Sequence, residues 1–436
     1  MFIAIRKKRC NFAVFIHSVL LWKCNKIINM SGNRNLIACD YLIIGAGIIG
    51  LTIAREIIGD NPKSQIVIIE KEHDVACHGS GRNSGVLHAG FYYTADSLKA
   101  KFTRKGNELM RNYCYENSLQ INECKKVVVA QNEDELKALF ELEKRGKTNG
   151  VDISLITAEE LAAIEPNAVT YNYALYSPTT ATVDPAEVCQ CMKNELTEKG
   201  VRIFFNEPYI KRIKGNTIRT KNFLMDATKI INAAGLYADK IAKDFGYSNN
   251  YTIIPFKGIY LKYKGTDNPI RTNIYPVPNL KNPFLGVHYT ITVDNVTKIG
   301  PTSIPAFWRE NYKGWHNFRL SELCHILWWE ARLFLSNSFG FRSLALEELK
   351  KYNRNFFTAL AVKMVKSIDK KGFKEWSKPG IRAQLLDVRT KKLVMDFVVE
   401  GDRESVHVLN AVSPAFTGCM PFARWVVDNY VRINRL

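Results

Sequence analysis

The sequence contains no C-x-x-C pair, although it has ten cysteines among its 436 residues. No spacing between these cysteines is typical of a zinc site or of a haem attachment site. We therefore expect mostly reduced thiols in a reducing compartment, and we predict no metal site.

Internal repeats and low-complexity tracts are also missing, and the apolar run from Phe12 to Trp22 is shorter than the ~20 residues that a membrane-spanning helix needs. Apolar residues make up 46% of the chain and charged residues 24%. This composition is typical of a globular protein rather than a disordered one, and the length allows two or three domains of about 100–200 residues each.

Acidic residues are absent from residues 1–39, which contain seven lysines and arginines. A cationic, acid-free and partly apolar start is typical of a mitochondrial presequence. We predict that residues 1–37 form a targeting segment and that the protein is mitochondrial. A secretory signal or membrane anchor and an extension without a role are the alternatives, and Met30 offers an internal start.

Positive charge exceeds negative charge, with a formal net charge of +19. Such a balance favours anionic substrates and also fits peripheral association with an anionic membrane surface. The chain carries no nucleic-acid recognition motif, so we expect no nucleic-acid partner.

A glycine-rich motif, Gly45-Ala46-Gly47-Ile48-Ile49-Gly50, follows an apolar run that is typical of a β-strand (40–44). A helical segment (51–58) and a second strand pattern (66–69) come next, and Glu70 follows at once. Gly45 permits the tight turn, Gly47 lets the backbone approach a pyrophosphate, and Gly50 lets the helix pack against the strand. The helix N-terminus offers N–H groups to the phosphates, and Glu70 accepts hydrogen bonds from a ribose. The motif predicts a dinucleotide site formed by Gly45, Ala46, Gly47, Ile49, Gly50, Glu70 and Lys71, without distinguishing FAD from NAD.

Later segments of the chain carry a family resemblance. They read R-N-S-G-V-L-H-A-G-F-Y-Y (82–93), S-L-K-A-K (97–101), K-I-I-N-A-A-G-L-Y-A (229–238), N-I-Y-P-V-P (273–278), F-L-G-V-H-Y (284–289), G-I-R-A-Q-L-L-D (380–387) and N-A-V-S-P-A (410–415). In these blocks the sequence resembles the FAD-dependent oxidoreductases of the D-amino-acid oxidase type. The loop at 416–421 departs from the family pattern, and residues 303–374 match it only loosely.

The resemblance implies FAD as the cofactor and an α/β fold: a Rossmann-like FAD-binding domain with an α+β substrate domain containing a mixed or antiparallel sheet. We expect the FAD-binding domain at 38–110, 185–247 and 375–436, and the substrate domain at 111–184 and 248–374.

Asp184 and Pro185 predict a helix start, as N-cap and first helical residue. Trp328-Trp329 predicts core or domain packing, and Lys350-Lys351 predicts solvated surface. By resemblance, further cofactor-binding residues are Arg82, Asn83, Ser84, Gly85, Ala234, Gly235, Ser413 and Ala415.

The same blocks resemble the members of this class that oxidise a 2-hydroxydicarboxylate. The implied reaction converts L-2-hydroxyglutarate to 2-oxoglutarate by hydride transfer to the flavin, and passes the electrons to a quinone or another acceptor that is not NAD. The alternatives are another amino-acid or amine oxidase, a glycerol-3-phosphate dehydrogenase, and a flavin-binding scaffold without turnover.

Four residues are the candidates for the chemistry. Arg382 lies in a G-x-R turn that holds the substrate carboxylate in the resembling class, and a guanidinium matches a carboxylate with two hydrogen bonds. His88 is the first candidate for the general base and His288 the second, because imidazole titrates near neutrality. Tyr275, together with Tyr93, Lys99 and Tyr289, is a candidate for binding the distal carboxylate.

Overall fold

The computed structural model describes residues 36–265, 268–278 and 286–432. The predicted targeting segment lies outside these ranges except for Leu36 and Ile37, as do Phe284 and Leu285 of one family-like block. Within the described ranges, no helix is both long enough and apolar enough to cross a membrane.

The described ranges contain short strands, singly or in runs of two or more, separated by helices. The strands are β1 (Leu36–Ile44), β2 (Ile66–Ile69), β3 (Val86–Leu87), β4 (Ile121–Asn122), β5 (Lys126–Val129), β6 (Ser154–Thr157), β7 (Tyr173–Ser177), β8 (Ala181–Val183), β9 (Arg202–Phe204), β10 (Tyr209–Lys214), β11 (Thr217–Thr220), β12 (Leu224–Asn232), β13 (Tyr251–Gly258), β14 (Leu261–Tyr263), β15 (Asn273–Pro276), β16 (His288–Ile291), β17 (Thr297–Gly300), β18 (Ile304–Pro305), β19 (Phe373–Trp376), β20 (Gly380–Asp387), β21 (Lys392–Leu393), β22 (Val398–Gly401) and β23 (Ser405–Asn410). The helices are α1 (Ile48–Asp60), α2 (Leu98–Glu116), α3 (Glu133–Thr148), α4 (Ala158–Ile164), α5 (Pro185–Glu198), α6 (Ala238–Asp244), α7 (Leu320–Ser336), α8 (Phe341–Lys350), α9 (Arg354–Val362) and α10 (Cys419–Val426).

The largest sheet has eight strands, with the path β10-β11-β12-β1-β2-β9 and β23 and β22 joined to it at β12. Strands β12, β1, β2 and β9 run parallel, as does β23 beside β12. Buried parallel strands need apolar side chains on both faces, which the Leu42-Ile43-Ile44 run of β1 supplies. The carboxyl ends of β1 and β2 meet at one edge, because Ile44 pairs with Ile69.

Helices cover both faces of this sheet. On one side α10 packs against α1 and α2, and α1 packs against α5. The core there is formed by buried side chains such as Leu51, Met192 and Phe422. On the other side Ile241 of α6 packs against the opposite faces of β1, β2 and β12. Burying the helical stripes against both faces of the sheet is the main apolar contribution to the stability of this layer.

The remaining sheets are smaller and mixed or antiparallel. Their orders are β18-β13-β20-β21, β16-β17-β14-β19, β15-β5-β7-β6 and β3-β8-β4. This confirms the predicted fold class, a Rossmann-like layer joined to an α+β part. Strand β13 pairs with β20 along eight residues, although the expected division assigns them to different domains. The domain boundaries stay a prediction.

Local predictions have mixed outcomes. The helix start is confirmed, because the Asp184 side chain accepts hydrogen bonds from the amides of Ala186 and Glu187. The tryptophan prediction is half right, since Trp329 is buried but Trp328 is 51% exposed. The surface prediction is wrong for Lys351, which is buried and forms an ion pair with Glu348.

Candidate active site

The glycine-rich turn connects β1 to α1 with very little space. Gly45 has a φ of +107°, and a Cβ placed on it would lie 2.7 Å from the carbonyl oxygen of Ala233. A Cβ on Gly50 would lie 2.0 Å from the carbonyl oxygen of Gly45. Only glycine therefore allows strand, turn and helix to approach this closely.

The first turn of α1 faces a large cavity. Gly47 is the N-cap residue and has no side chain to satisfy the free amides of the turn. The amide of Ile48 donates to the hydroxyl of Ser80 at 2.9 Å, and a Cβ on Gly47 would meet that hydroxyl at 3.0 Å. The positive end of the helix dipole attracts an anion, and the missing side chain of Gly47 leaves space beside the first amides of the helix. Both features fit a phosphate group.

Glu70 follows β2 at the same sheet edge. Its carboxylate accepts hydrogen bonds from the amides of Ala46 at 2.9 Å and Glu72 at 3.0 Å. The next residue, Lys71, forms ion pairs with Glu72 and, at 2.7 Å, with Glu310. These contacts hold both predicted cofactor-binding side chains in the cavity wall.

The cavity has a volume of about 1060 Å³. That is slightly above the ~300–1,000 Å³ typical of ligand pockets, so it has room for an extended dinucleotide. Most of the predicted cofactor-binding residues line it: Gly45, Gly47, Ile49, Glu70, Lys71, Arg82, Asn83, Ser84, Ala234, Gly235, Ser413 and Ala415. Ala46, Gly50 and Gly85 lie behind this lining, and Ala46 contributes through its amide. Their individual roles toward a cofactor stay predictions.

His88 reaches the same cavity and is only 7% exposed. Its amide donates to the Thr417 hydroxyl at 3.1 Å, but its side-chain Nδ1 has no hydrogen-bond partner within the described ranges. Burial, followed by the charges of Lys126, His288 and Arg382, holds the pKa of His88 well below 6.5. The imidazole is therefore neutral at physiological pH and able to accept a proton.

Arg382 also lines the cavity, at a position on β20 that pairs with Phe256 of β13. Its guanidinium donates to the hydroxyl of Ser303 at 3.2 Å. The same positive charge lowers the pKa values of His88 and Lys99. The structure thus brings the predicted carboxylate-binding group and the first candidate base to one cavity.

The other two candidates lie behind the cavity lining. Tyr275 on β15 and His288 on β16 are fully buried and stack against each other. Burial lowers the pKa of His288 to about 3. Among the lower-ranked candidates, Tyr289 lies in the core of the substrate part, and Lys99 is buried with a pKa lowered by burial to about 8.

Sequence reasoning missed the buried lysines Lys126 and Lys298, of which only Lys126 acts on both candidate histidines. Lys126 begins β5, and its charge lowers the pKa values of both His88 and His288. The signal available in the sequence was a lysine directly before the three valines of a buried strand, where an ammonium group is costly.

Comparison with known proteins shows extensive similarity. A family model described as FAD dependent oxidoreductase matches residues 40–429. The mitochondrial L-2-hydroxyglutarate dehydrogenase of Dictyostelium discoideum is 33% identical over 430 residues, covering 91% of this chain and 94% of that protein. The L-2-hydroxyglutarate dehydrogenase of Escherichia coli (strain K12) is 33% identical, with 89% and 92% covered. The mitochondrial enzyme of the same name from Homo sapiens is 32% identical, with 89% and 88% covered.

Solved structures share the fold. An L-alpha-glycerophosphate oxidase from Mycoplasma pneumoniae with FAD bound superposes with a TM-score of 0.70 at 22% identity, covering 90% of this chain and 94% of that one. A glycine oxidase from Geobacillus kaustophilus gives a TM-score of 0.65 at 16% identity, with 90% and 94% covered.

Proposed function

Because the chain belongs to the family of FAD-dependent oxidoreductases, we propose that it oxidises L-2-hydroxyglutarate to 2-oxoglutarate. The similarity to proteins named L-2-hydroxyglutarate dehydrogenase supports this substrate, since it extends over about nine-tenths of the chain. The observation that carries the chemistry is the presence of a neutral His88 and a cationic Arg382 in the wall of one cavity.

The proposed mechanism gives each of these residues one task. The Arg382 guanidinium binds the carboxylate next to the hydroxyl-bearing carbon with charge-assisted hydrogen bonds. The neutral imidazole of His88 accepts the hydroxyl proton as that carbon gives up a hydride, so that a carbon–oxygen double bond forms. FAD, when bound, supplies the hydride acceptor. The substrate loses one proton and one hydride, which balances its conversion to the 2-oxoacid.

We assign the binding of FAD to the residues of the glycine turn and its surroundings. The amides at the start of α1 and the open surface of Gly47 suit the pyrophosphate. The Glu70 carboxylate, already oriented by two amides, suits a ribose hydroxyl. The segment that contains Arg82, Asn83 and Ser84 continues the cavity wall toward His88 and suits the flavin side.

The electron acceptor in this proposal is a quinone or another carrier other than NAD, with the protein docked peripherally on an anionic membrane. Helices α7 and α8 support the docking, because they expose large apolar side chains that include Leu335 at 73%, Leu346 at 54% and Trp328 at 51%. Arg332 lies 4.5 Å from the Trp328 ring, so cationic and apolar groups share this surface. Flotation with anionic and with neutral lipid vesicles tests it, and failure to bind anionic vesicles contradicts the docking alone.

A mitochondrial location is proposed on the basis of the acid-free segment at residues 1–37 and of relatives that are named mitochondrial. Import of the full chain into isolated mitochondria, with residues 38–436 as the control, tests this location. Equal import of both chains would contradict a role for the segment.

The substrate proposal is tested by anaerobic mixing of the FAD-loaded protein with L-2-hydroxyglutarate while the visible spectrum is recorded. We expect rapid loss of the flavin absorbance, with D-2-hydroxyglutarate, glycerol 3-phosphate and glycine inert. A flavin that stays oxidised with L-2-hydroxyglutarate but is reduced by one of the other compounds would replace the substrate and leave the cofactor in place.

A further inference from the structure

Lys126 lies in an unusual environment for a charged side chain. It is 0% exposed, and its ammonium nitrogen has no hydrogen-bond partner among the residues that the structure describes. Aromatic rings surround it, with centroids at 4.2 Å for Tyr275, 5.3 Å for Tyr92 and 5.5 Å for Phe91. The rings offer weak electrostatic attraction but no counterion.

A buried ammonium group without an anion is costly, and proteins normally pair it. Among the described residues no carboxylate forms an ion pair with Lys126, and the only opposing group that acts on its titration is the Cys124 thiol. Burial lowers the pKa of Lys126 to about 7, so the substrate-free protein holds this group partly neutral.

The other cations in this region differ from Lys126 because each has a partner within the described chain. Lys298 donates to the carbonyl oxygen of Ser84 at 3.2 Å, and Arg382 donates to the Ser303 hydroxyl. The charge of Asp396 acts on Lys99. Lys126 is thus the buried cation whose charge this part of the chain leaves uncompensated.

Lys126 is also connected to the candidate bases, because the Tyr275 ring that lies 4.2 Å from its ammonium nitrogen stacks on His288 with ring centroids 3.7 Å apart. Its charge lowers the pKa values of both His88 and His288. Further buried polar atoms without a partner in the described part of the chain include Nδ1 of His88 and the hydroxyl of Tyr92. Unsatisfied buried polar atoms in a native fold are rare and point to a bound ligand or water. Lys126 and Arg382 are the two lysine or arginine side chains whose charges act on His88, and two such cations match the two carboxylates of one dicarboxylate.

We propose that Lys126 binds the distal carboxylate of the substrate and thereby selects linear dicarboxylates over monocarboxylates. This assignment rests on the proposed function above and extends it to the specificity-determining residue. Substrate binding then supplies the counterion that the fold lacks, while Arg382 holds the carboxylate beside the reacting carbon.

The test compares L-2-hydroxyglutarate with L-2-hydroxypentanoate, which has the same chain length and no distal carboxylate. In the FAD-loaded Lys126→Met variant, we expect the KM for L-2-hydroxyglutarate to rise about 10–100-fold, the range that corresponds to a hydrogen bond to a charged group. The KM for L-2-hydroxypentanoate should change less than about threefold, and the FAD content should stay that of the unmodified protein.

Lys229→Met is the matched control, because Lys229 is another buried lysine but donates to the carbonyl oxygen of Tyr430 in the Rossmann-like part. It should leave the ratio of the two KM values unchanged. Should Lys126→Met not fold, Lys126→Gln provides the same comparison with a polar, uncharged side chain.

A Lys126 variant that keeps the unmodified preference for the dicarboxylate would overturn the assignment, as would an equal loss for both substrates. Glutarate, which has no hydroxyl group to oxidise, separates this outcome from failure of the proposed function. If L-2-hydroxyglutarate does not reduce the flavin, glutarate binding can still be monitored through the flavin spectrum. This measurement reports on the proposed distal-carboxylate site. If Lys126→Met abolishes glutarate binding, the assignment is supported. If Lys126→Met leaves glutarate binding unchanged, the assignment is contradicted.

Discussion

Tyr275 lies flat against His288, with ring centroids 3.7 Å apart and ring planes at 19°. The Nδ1 of His288 lies 2.9 Å from the carbonyl oxygen of Gly286, and because a carbonyl only accepts, that nitrogen carries the proton. The stack and this hydrogen bond fix both the orientation and the tautomer of His288. By contrast, His88 lines the cavity, and no described residue forms a hydrogen bond with its Nδ1. The two candidate bases therefore differ in access and in constraint.

This difference predicts that the two histidines have different roles. His88→Ala should lower the rate of flavin reduction by about 10²–10⁴-fold, the contribution typical of a general base, with FAD content unchanged. His288→Ala should act more on KM, since its ring supports Tyr275 beside Lys126. Stopped-flow measurement of flavin bleaching checks both. Near-normal reduction in His88→Ala would remove His88 from the mechanism.

Three glycines near α1 should respond differently to alanine. Gly50→Ala forces a Cβ to 2.0 Å from a backbone carbonyl and should destabilise the fold by at least about 2 kcal/mol. Gly47→Ala meets only the Ser80 hydroxyl, at 3.0 Å, and should keep the fold but lower FAD occupancy. Gly59→Ala meets nothing within 4 Å and is the control. Thermal unfolding measures the change in fold stability, and the FAD-to-protein ratio measures FAD occupancy. Full FAD occupancy in Gly47→Ala would contradict the proposed phosphate site at Gly47.

Arg382→Met should remove the proposed carboxylate contact. We expect kcat/KM for L-2-hydroxyglutarate to fall about 10–100-fold, which corresponds to a hydrogen bond to a charged group. Arg382→Lys should recover only part of this loss, because an ammonium cannot form the two parallel hydrogen bonds of a guanidinium. Steady-state kinetics at matched FAD content gives the comparison. A Met variant within threefold of the unmodified protein would argue against the contact.

The affinity for the dicarboxylate should depend on pH through Lys126, whose pKa is about 7 in the substrate-free protein. Below this pH the ammonium is ready to bind an anion; above it, binding must recruit a proton. The KM should therefore rise above pH 7, by up to about tenfold per pH unit. Lys99 and Lys298, each with a pKa lowered by burial to about 8, remain in Lys126→Met, so the difference between the two profiles isolates Lys126. Identical profiles would contradict the prediction.

Lys126→Met should also stabilise the substrate-free protein. Burial lowers the pKa of Lys126 from 10.5 to about 7, so the unfolded state binds more protons between these two values. The free energy of unfolding of the unmodified protein therefore rises with pH across this window, by at most about 1.4 kcal/mol per unit. The advantage of the Met variant should be largest near pH 7 and shrink toward pH 9. Urea unfolding at both pH values measures it, and a variant that is less stable at pH 7 would refute the uncompensated charge.

Part of the site was accessible to sequence reasoning because its determinants are local. The spacing from Gly45 to Glu70 describes one strand-turn-helix-strand unit, and each of its glycines has a steric reason within that unit or directly beside it. The capped start of α5 was predictable for the same reason. By contrast, whether Lys351 faced solvent depended on Glu348 and on the way α8 packs, so composition alone misplaced it.

By itself, the sequence determined the dinucleotide-binding unit and the family, since short-range spacing and ordered blocks are sufficient for both. Only the tertiary structure decided which polar residues share a site. His88, Lys126 and Arg382 come from three distant segments, and their charge effects on His88 depend on how β3, β5 and β20 are arranged. The physical reason is desolvation: a lysine in a sequence is an ordinary cation, and it becomes an uncompensated charge that needs an anionic ligand only when packing removes water and supplies no carboxylate.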